Sequence, residues 1–248
     1  MLGFSNICKN KSLSCREILE VLSFNSVINS SIIHSIENND VGRILFPEEI
    51  TKSVYYSIMS DSIFMATPVN KTGLLYMLQL CSIIQNYLLE NEILLRGGIA
   101  KGEFYGFEDI AFGPALIDAH YLEGNIAVYP RIVLSNDVME DITSENDSHI
   151  NLYINHSKED SICYVNHLNP LELWRMKNNP DKLTKIHNFI EKGCQNKKPK
   201  IRAKHQWLKN YYEQCQKNYS MIFPSEEERK KLIDGFTKYM QERNNGNG

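Results

Sequence analysis

Apolar side chains recur every three or four residues through residues 15–37, and more densely through residues 70–92. That spacing gathers them on one side of a helix and predicts two helices, the first ended by the polar Asn38-Asn39-Asp40 turn. Between them, I-T-K-S-V-Y-Y-S-I-M-S and S-I-F-M-A-T are rich in β-branched and aromatic residues and join at Ser60-Asp61-Ser62. Such a pair predicts a β-hairpin with a polar tip. I-L-L-R-G-G-I-A-K-G-E-F-Y-G then reads as a single strand, with Gly97, Gly98 and Gly102 marking a bulge or a close approach.

F-G-P-A-L-I-D-A-H-Y-L-E-G predicts a short helix, with Gly113-Pro114 at its start and Gly124 past its end. I-A-V-Y-P-R-I-V-L-S reads as a further strand, and Pro130 assigns it to a sheet edge or to the strand's first residue. Residues 136–148 are acidic and polar and read as a surface loop or helix end; N-L-Y-I-N and S-I-C-Y-V-N form a second hairpin. Helical patterns follow at 170–193, 199–219 and 225–243, and the N-N-G-N-G tail is expected to be disordered. The order predicts an α+β fold with antiparallel strands and helices mostly on one face. The expected boundaries are 1–168 for the sheet-bearing domain, 169–243 for a helical extension packed on it and 244–248 for the tail.

Composition narrows the function classes. With 42% hydrophobic and 23% charged residues, the 248-residue chain can bury a core. A net charge of −3 gives no general attraction to nucleic acid or to an anionic membrane. No apolar run reaches the length of a membrane span, and the first residues lack the features of a secretory signal. The six cysteines are scattered without a C-x-x-C, which suits reduced thiols in a cytoplasmic protein and disfavours a zinc site.

Four segments carry chemistry in a recognisable order: the stretch opening at Leu2-Gly3-Phe4, S-D-S-I-F-M-A around Asp61, R-G-G-I-A-K-G from Arg96, and F-G-P-A-L-I-D-A-H-Y-L-E from Phe112. Together they resemble the class III nucleotidyl cyclases. Y-P-R-I-V-L-S and K-I-R-A-K-H-Q-W-L-K-N-Y-Y resemble segments of the pyrimidine cyclases of the Pycsar anti-phage system. The resemblance covers most of the chain. It implies a palm-like antiparallel sheet with helices, a C-terminal helical extension, and two strands that each supply an aspartate to two divalent ions, Mg²⁺ or Mn²⁺. The implied reaction is attack of the 3′-hydroxyl of UTP, or less favourably CTP, on its own α-phosphate, giving a 3′,5′-cyclic monophosphate and pyrophosphate. Protein groups then mainly position the substrate and neutralise its charge. The resemblance further implies a homodimer with composite active sites, and a separate effector protein that reads the cyclic nucleotide.

Residue by residue, the resemblance makes Asp61 the second metal aspartate, a hard-oxygen ligand on a hairpin tip. Local turn chemistry also favours Asp there. The first metal aspartate would fall immediately before Met1, because the chain opens at the x of the family's F-L-D-x-L-G-F; this exact chain is therefore expected to have low or no activity. Gly3, Phe4, Ser5 and Asn6 match the loop whose backbone amides hold the triphosphate. Arg96 is a phosphate or base contact, or equally a structural ion pair at a strand end. The base-reading positions fall at Ser57 and Ile110, which match neither adenine- nor guanine-reading pairs. A smaller pyrimidine packed on Tyr55 or Tyr56 fits them better. Ile117 and Tyr121 stand where the family carries its transition-state Asn and Arg, so phosphate charge would fall to Arg131 or to the run Lys197, Lys198, Lys200, Arg202 and Lys204. Most of that run also reads as a solvated helix face. The competing reading of the whole chain is a non-catalytic nucleotide-binding or dimerisation module.

Overall fold

The computed structural model describes residues 54–59, 62–108, 110–145, 147–177, 179–222 and 225–245. The helix expected at 15–37, the triphosphate loop at Gly3–Asn6 and Asp61 lie outside the described residues. The first hairpin forms as expected: β1 (Tyr55–Met59) and β2 (Ser62–Ala66) pair antiparallel, from Tyr55 opposite Ala66 to Met59 opposite Ser62. Helix α1 (Lys71–Glu90) follows. Its start is fixed by the Asn70 side chain, which accepts the Gly73 amide at 2.8 Å. Its end is a Schellman turn: Ile93 N–H reaches Leu88 O at 2.9 Å and Glu92 N–H reaches Leu89 O at 3.0 Å, with Glu92 at φ 61°.

The stretch read as one strand at 93–106 is two. β3 (Gly97–Ile99) ends before Gly102, and β4 (Tyr105–Phe107) pairs with β5 (Ile110–Phe112) in a separate exposed hairpin. Helix α2 (Pro114–Tyr121) runs into a π-helical turn at Leu122–Ile126. β6 (Ile132–Leu134) then pairs parallel to β3, not antiparallel. The long connection through the β4–β5 hairpin and α2 is what makes a parallel return possible. Residues 136–148 hold helix α3 (Asn136–Glu145) and the start of the short helix α4 (Ser148–Asn151). The second predicted hairpin is present as β7 (Ile154–His156) and β8 (Cys163–Val165).

The main sheet is therefore mixed, in the order β3-β6-β8-β7. β6 lies inside it and not at an edge; Pro130 precedes the strand and needs no place in the ladder. All three residues of β6 are buried, so both faces of the sheet are covered, contrary to helices mostly on one face. Ile132, Leu134 and Val165 pack with Leu75 and Leu78 of α1 and with Val138 and Ile142 of α3. The alternate residues Val133 and Tyr164 point the other way. There they meet α5 (Pro170–Lys177), α6 (Pro180–Cys194) and α7 (Pro199–Ile222) through Leu173, Ile186, Ile190 and Leu208.

The single helix predicted at 170–193 is thus two, broken where Asn179 caps and Pro180 starts α6. Helix α8 (Glu226–Asn245) closes the described chain. Its Tyr239 stacks on His149, with ring centroids 3.7 Å apart, and donates its hydroxyl to Asp147.

Candidate functional site

A cavity of about 700 Å³ opens between the first hairpin and the main sheet. Every residue of β2 lines it, and so does every residue from 95 to 102. Successive strand residues face opposite ways, so a space touched by all of them runs along the strand edges. β2 pairs with β1 on one side, and β3 pairs with β6 on one side; among the described residues their other edges are unpaired. Leu74, Met77, Cys81 and Ile84 of α1 form an apolar wall, and Ala115, Leu116 and Ala119 of α2 form another.

Glycine builds the second wall. A Cβ on Gly98 would stand 2.5 Å from both Ala119 O and Leu122 Cβ, so only glycine lets α2 lie directly on β3. Gly113 sets the start of α2 at φ 137°, and a Cβ there would stand 2.5 Å from Glu103 O. The R-G-G and F-G-P glycines of the sequence thus shape one contact from its two sides.

The charged Lys71, Arg96, Lys101, Glu123 and Asp141 on the cavity are paired. Arg96 Nε lies 2.5 Å from Glu123 Oε1. Lys101 Nζ lies 2.8 Å and 3.0 Å from the two Asp141 oxygens, and this hydrogen bond raises the ammonium's pKa. Lys71 reaches Asp147 Oδ2 at 3.0 Å. Burial alone would push the Asp147 carboxyl up; hydrogen bonds from Tyr239, Lys71 and the His149 amide outweigh it and hold the group well below the usual carboxylate range. Burial pushes the Cys81 thiol up to about 12, so it is a packing group and not a nucleophile. Among the described residues no three His, Cys, Asp or Glu side chains gather as a metal site, and the two cavity carboxylates are held by cations. The described residues therefore do not by themselves fit a divalent ion.

Of the sequence candidates, Arg96 lines the cavity and is also ion-paired at the strand end. Tyr56 and Ser57 sit on β1, behind β2, and do not line it. Ile110 is 64% exposed on the β4–β5 hairpin. Tyr55 connects the two regions, donating its hydroxyl to Glu108 O at 3.1 Å and to Ile110 O at 3.4 Å. The phosphate-contact reading of Arg131 is corrected. Its side chain is 1% exposed, bound to Asp160 at 2.5 Å and 3.3 Å, and set among the rings of Tyr129, Tyr164 and Trp207. A guanidinium so enclosed is a core cation.

Two features were not read from the sequence. The Lys101–Asp141 pair spans 40 residues, a separation no local pattern reveals. The other is an exposed apolar face made of Tyr105, Phe107, Ile110 and Phe112 on the hairpin, with Ile117 and Tyr121 on the outer side of α2. Its signal was present in Y-G-F and I-A-F, where aromatic and aliphatic residues alternate with small ones. No described helix is long and apolar enough to cross a membrane. Comparison with protein-family models, with characterised proteins and with solved structures gave no match.

Proposed function

We propose that this chain is the catalytic domain of a pyrimidine nucleotide cyclase, converting UTP, and less favourably CTP, into the 3′,5′-cyclic monophosphate and pyrophosphate. One observation carries the reading: three segments on which the resemblance rests, distant in sequence, line a single cavity. They are β2 behind Asp61, the R-G-G-I-A-K-G strand, and α2 from P-A-L-I-D-A-H-Y-L-E. Structural packing alone gives no reason for these three to meet around open space.

The palm-like sheet belongs to this proposal. A strand bearing the family's F-L-D would pair with the edges of β2 and β3 that are unpaired among the described residues, and would join the hairpin to the main sheet in one layer. The requirement for Mg²⁺ or Mn²⁺ rests on Asp61 and on that strand's aspartate. The exposed apolar side chains of Phe107, Phe112, Ile117 and Tyr121 support a homodimer, because a cluster of large apolar groups left in water suits a protein interface. Tyr56, Ser57 and Ile110, absent from the cavity wall, are then base contacts of a site shared between two copies. A separate effector protein would read the product.

The second reading, a non-catalytic nucleotide-binding or dimerisation module, is favoured by the pairing of Glu123 and Asp141 with cations. Asp61→Ala separates the two in a chain extended upstream with the F-L-D strand. The cyclase reading expects Mn²⁺-dependent cyclic UMP from the extended chain and a loss of at least a hundredfold with Asp61→Ala. Activity that survives Asp61→Ala overturns the metal assignment.

A further inference from the structure

Two histidines are buried among the described residues, and both are packed against the helical extension. His167 stands between β8 and α5 and is 2% exposed; His205 is on α7 and is 5% exposed. The His167 backbone is fixed from three sides. Its amide donates to Val165 O at 3.1 Å, and its carbonyl accepts Asn86 Nδ2 at 2.7 Å and Ser82 Oγ at 3.3 Å, both on α1. The next amide, that of Leu168, donates to the Tyr211 hydroxyl of α7 at 3.1 Å. The His167 ring is thereby set against the Tyr211 ring, with centroids 5.0 Å apart. His205 is set between helices: its ring meets Phe189 of α6 edge-on at 4.8 Å. It fills the space beside Gly193, where a Cβ would stand 2.0 Å from its Nδ1. One imidazole thus joins α7 to the sheet layer, and the other joins it to α6.

Neither ring has an acceptor for a second proton. Nδ1 of each is buried without a hydrogen-bond partner. A neutral imidazole tolerates that, but a protonated one is a buried cation with a donor left unpaired. The titratable groups around His167 supply no negative charge. Tyr211 and Cys215 of α7 and Tyr164 of β8 are kept protonated by burial. One turn along α1 from Asn86, Glu90 is committed to Lys182 at 2.6 Å. On α5, the charge of Glu172 bears on Tyr153. Around His205, Glu191 of α6 is committed to Lys209 at 2.7 Å, and burial pushes up the Cys194 thiol. Lys204 and Lys209 of its own helix only oppose a further positive charge.

We propose that His167 and His205, in their neutral form, clamp the helical extension to the sheet, and that protonating the two rings in mild acid releases it. This inference is independent of the cyclase reading. Burial lowers both imidazoles, His167 to about 3 from its ordinary 6.5. A ring depressed in the closed state takes up a proton on release. The clamp therefore holds fully above 6.5 and weakens as pH falls below it, by about tenfold per ring in the opening equilibrium one pH unit lower.

Hydrogen exchange of the full chain at pH 7.5 and 5.5, corrected for intrinsic rates and read by peptide mass, tests this. Exchange in α6 and α7 should rise at least tenfold at the lower pH. Exchange in α3, on the opposite face of the sheet, should rise less than twofold. His167→Gln with His205→Gln should remove the rise in α6 and α7. Each single variant should remove about half of its logarithm, and serves if the double variant does not fold by thermal melting. Equal rises in α3 and α7 would mean global unfolding and overturn the release. So would no rise in α7, or a rise that survives in folded variants of both histidines.

Discussion

At the scale of single residues, Arg131 shows how burial decides the role of a charge. Its guanidinium is removed from water, so Asp160 and the three rings must hold it. The Arg131 hydrogen bonds lower the Asp160 carboxyl to about 2, against a smaller opposing effect of burial. A carboxyl depressed on folding stabilises the native state above its unfolded value of 3.8, and that contribution fades as pH falls through about 2. Asp160→Asn should therefore cost about 2 kcal/mol near neutral pH, less than a fully buried broken pair costs because the Asp160 side chain is 36% exposed. It should also flatten the fall in stability between pH 4 and 2, which urea unfolding across that range would measure. A variant that keeps the wild-type acid slope would contradict the pairing. The sequence offered Arg131 as a phosphate contact because an arginine beside a strand is ambiguous until burial is known. Arg96, equally ambiguous, lies on the cavity and in an ion pair at once.

At the scale of elements, local chemistry was legible and pairing was not. The first hairpin followed from two β-rich runs around a short polar join, the second from N-L-Y-I-N and S-I-C-Y-V-N, and α1 from its apolar spacing. The parallel β3–β6 pair was misread, because nothing inside R-G-G-I-A or R-I-V-L encodes which strand lies beside which. The division of 93–106 was also missed, since E-F-Y-G has the strand-forming residues of its neighbour but turns away into its own hairpin. The glycines distinguish packing from freedom. Gly98→Ala puts a methyl 2.5 Å from the backbone of α2 and should destabilise by about 2–3 kcal/mol. Gly97→Ala meets only the Ile132 side chain at 3.4 Å and should change stability by less than about 1 kcal/mol. Chemical denaturation of the two variants tests this order. Equal losses would show that α2 does not rest on β3 at Gly98.

At the scale of the whole molecule, two features of the described residues stand outside the core: the strand edges of β2 and β3 along the cavity, unpaired among the described residues, and the exposed apolar face of the β4–β5 hairpin and α2. The candidate site was legible in the sequence as far as its segments went: R-G-G-I-A-K-G and P-A-L-I-D-A-H-Y-L-E were singled out and do meet. The base-reading set was not placed on one wall, because its members lie on β1 and on the outer hairpin. The proposed site shared by two copies would account for that. Phe107→Lys with Ile117→Lys should then shift sedimentation from dimer to monomer without lowering the melting temperature, since both side chains are exposed by about 70%. A chain that is monomeric before the change would remove the shared site.

The most direct measurement concerns the chemistry itself. An equimolar mixture of ATP, GTP, CTP and UTP is incubated with Mn²⁺ and the chain bearing the upstream F-L-D strand, and the products are identified by mass spectrometry. The account predicts cyclic UMP as the main product, a smaller yield of cyclic CMP, and none of either from the same protein with Asp61→Ala. Cyclic AMP or cyclic GMP as the main product would contradict the pyrimidine assignment, and no cyclic product from a folded protein would leave the non-catalytic module as the function of this fold.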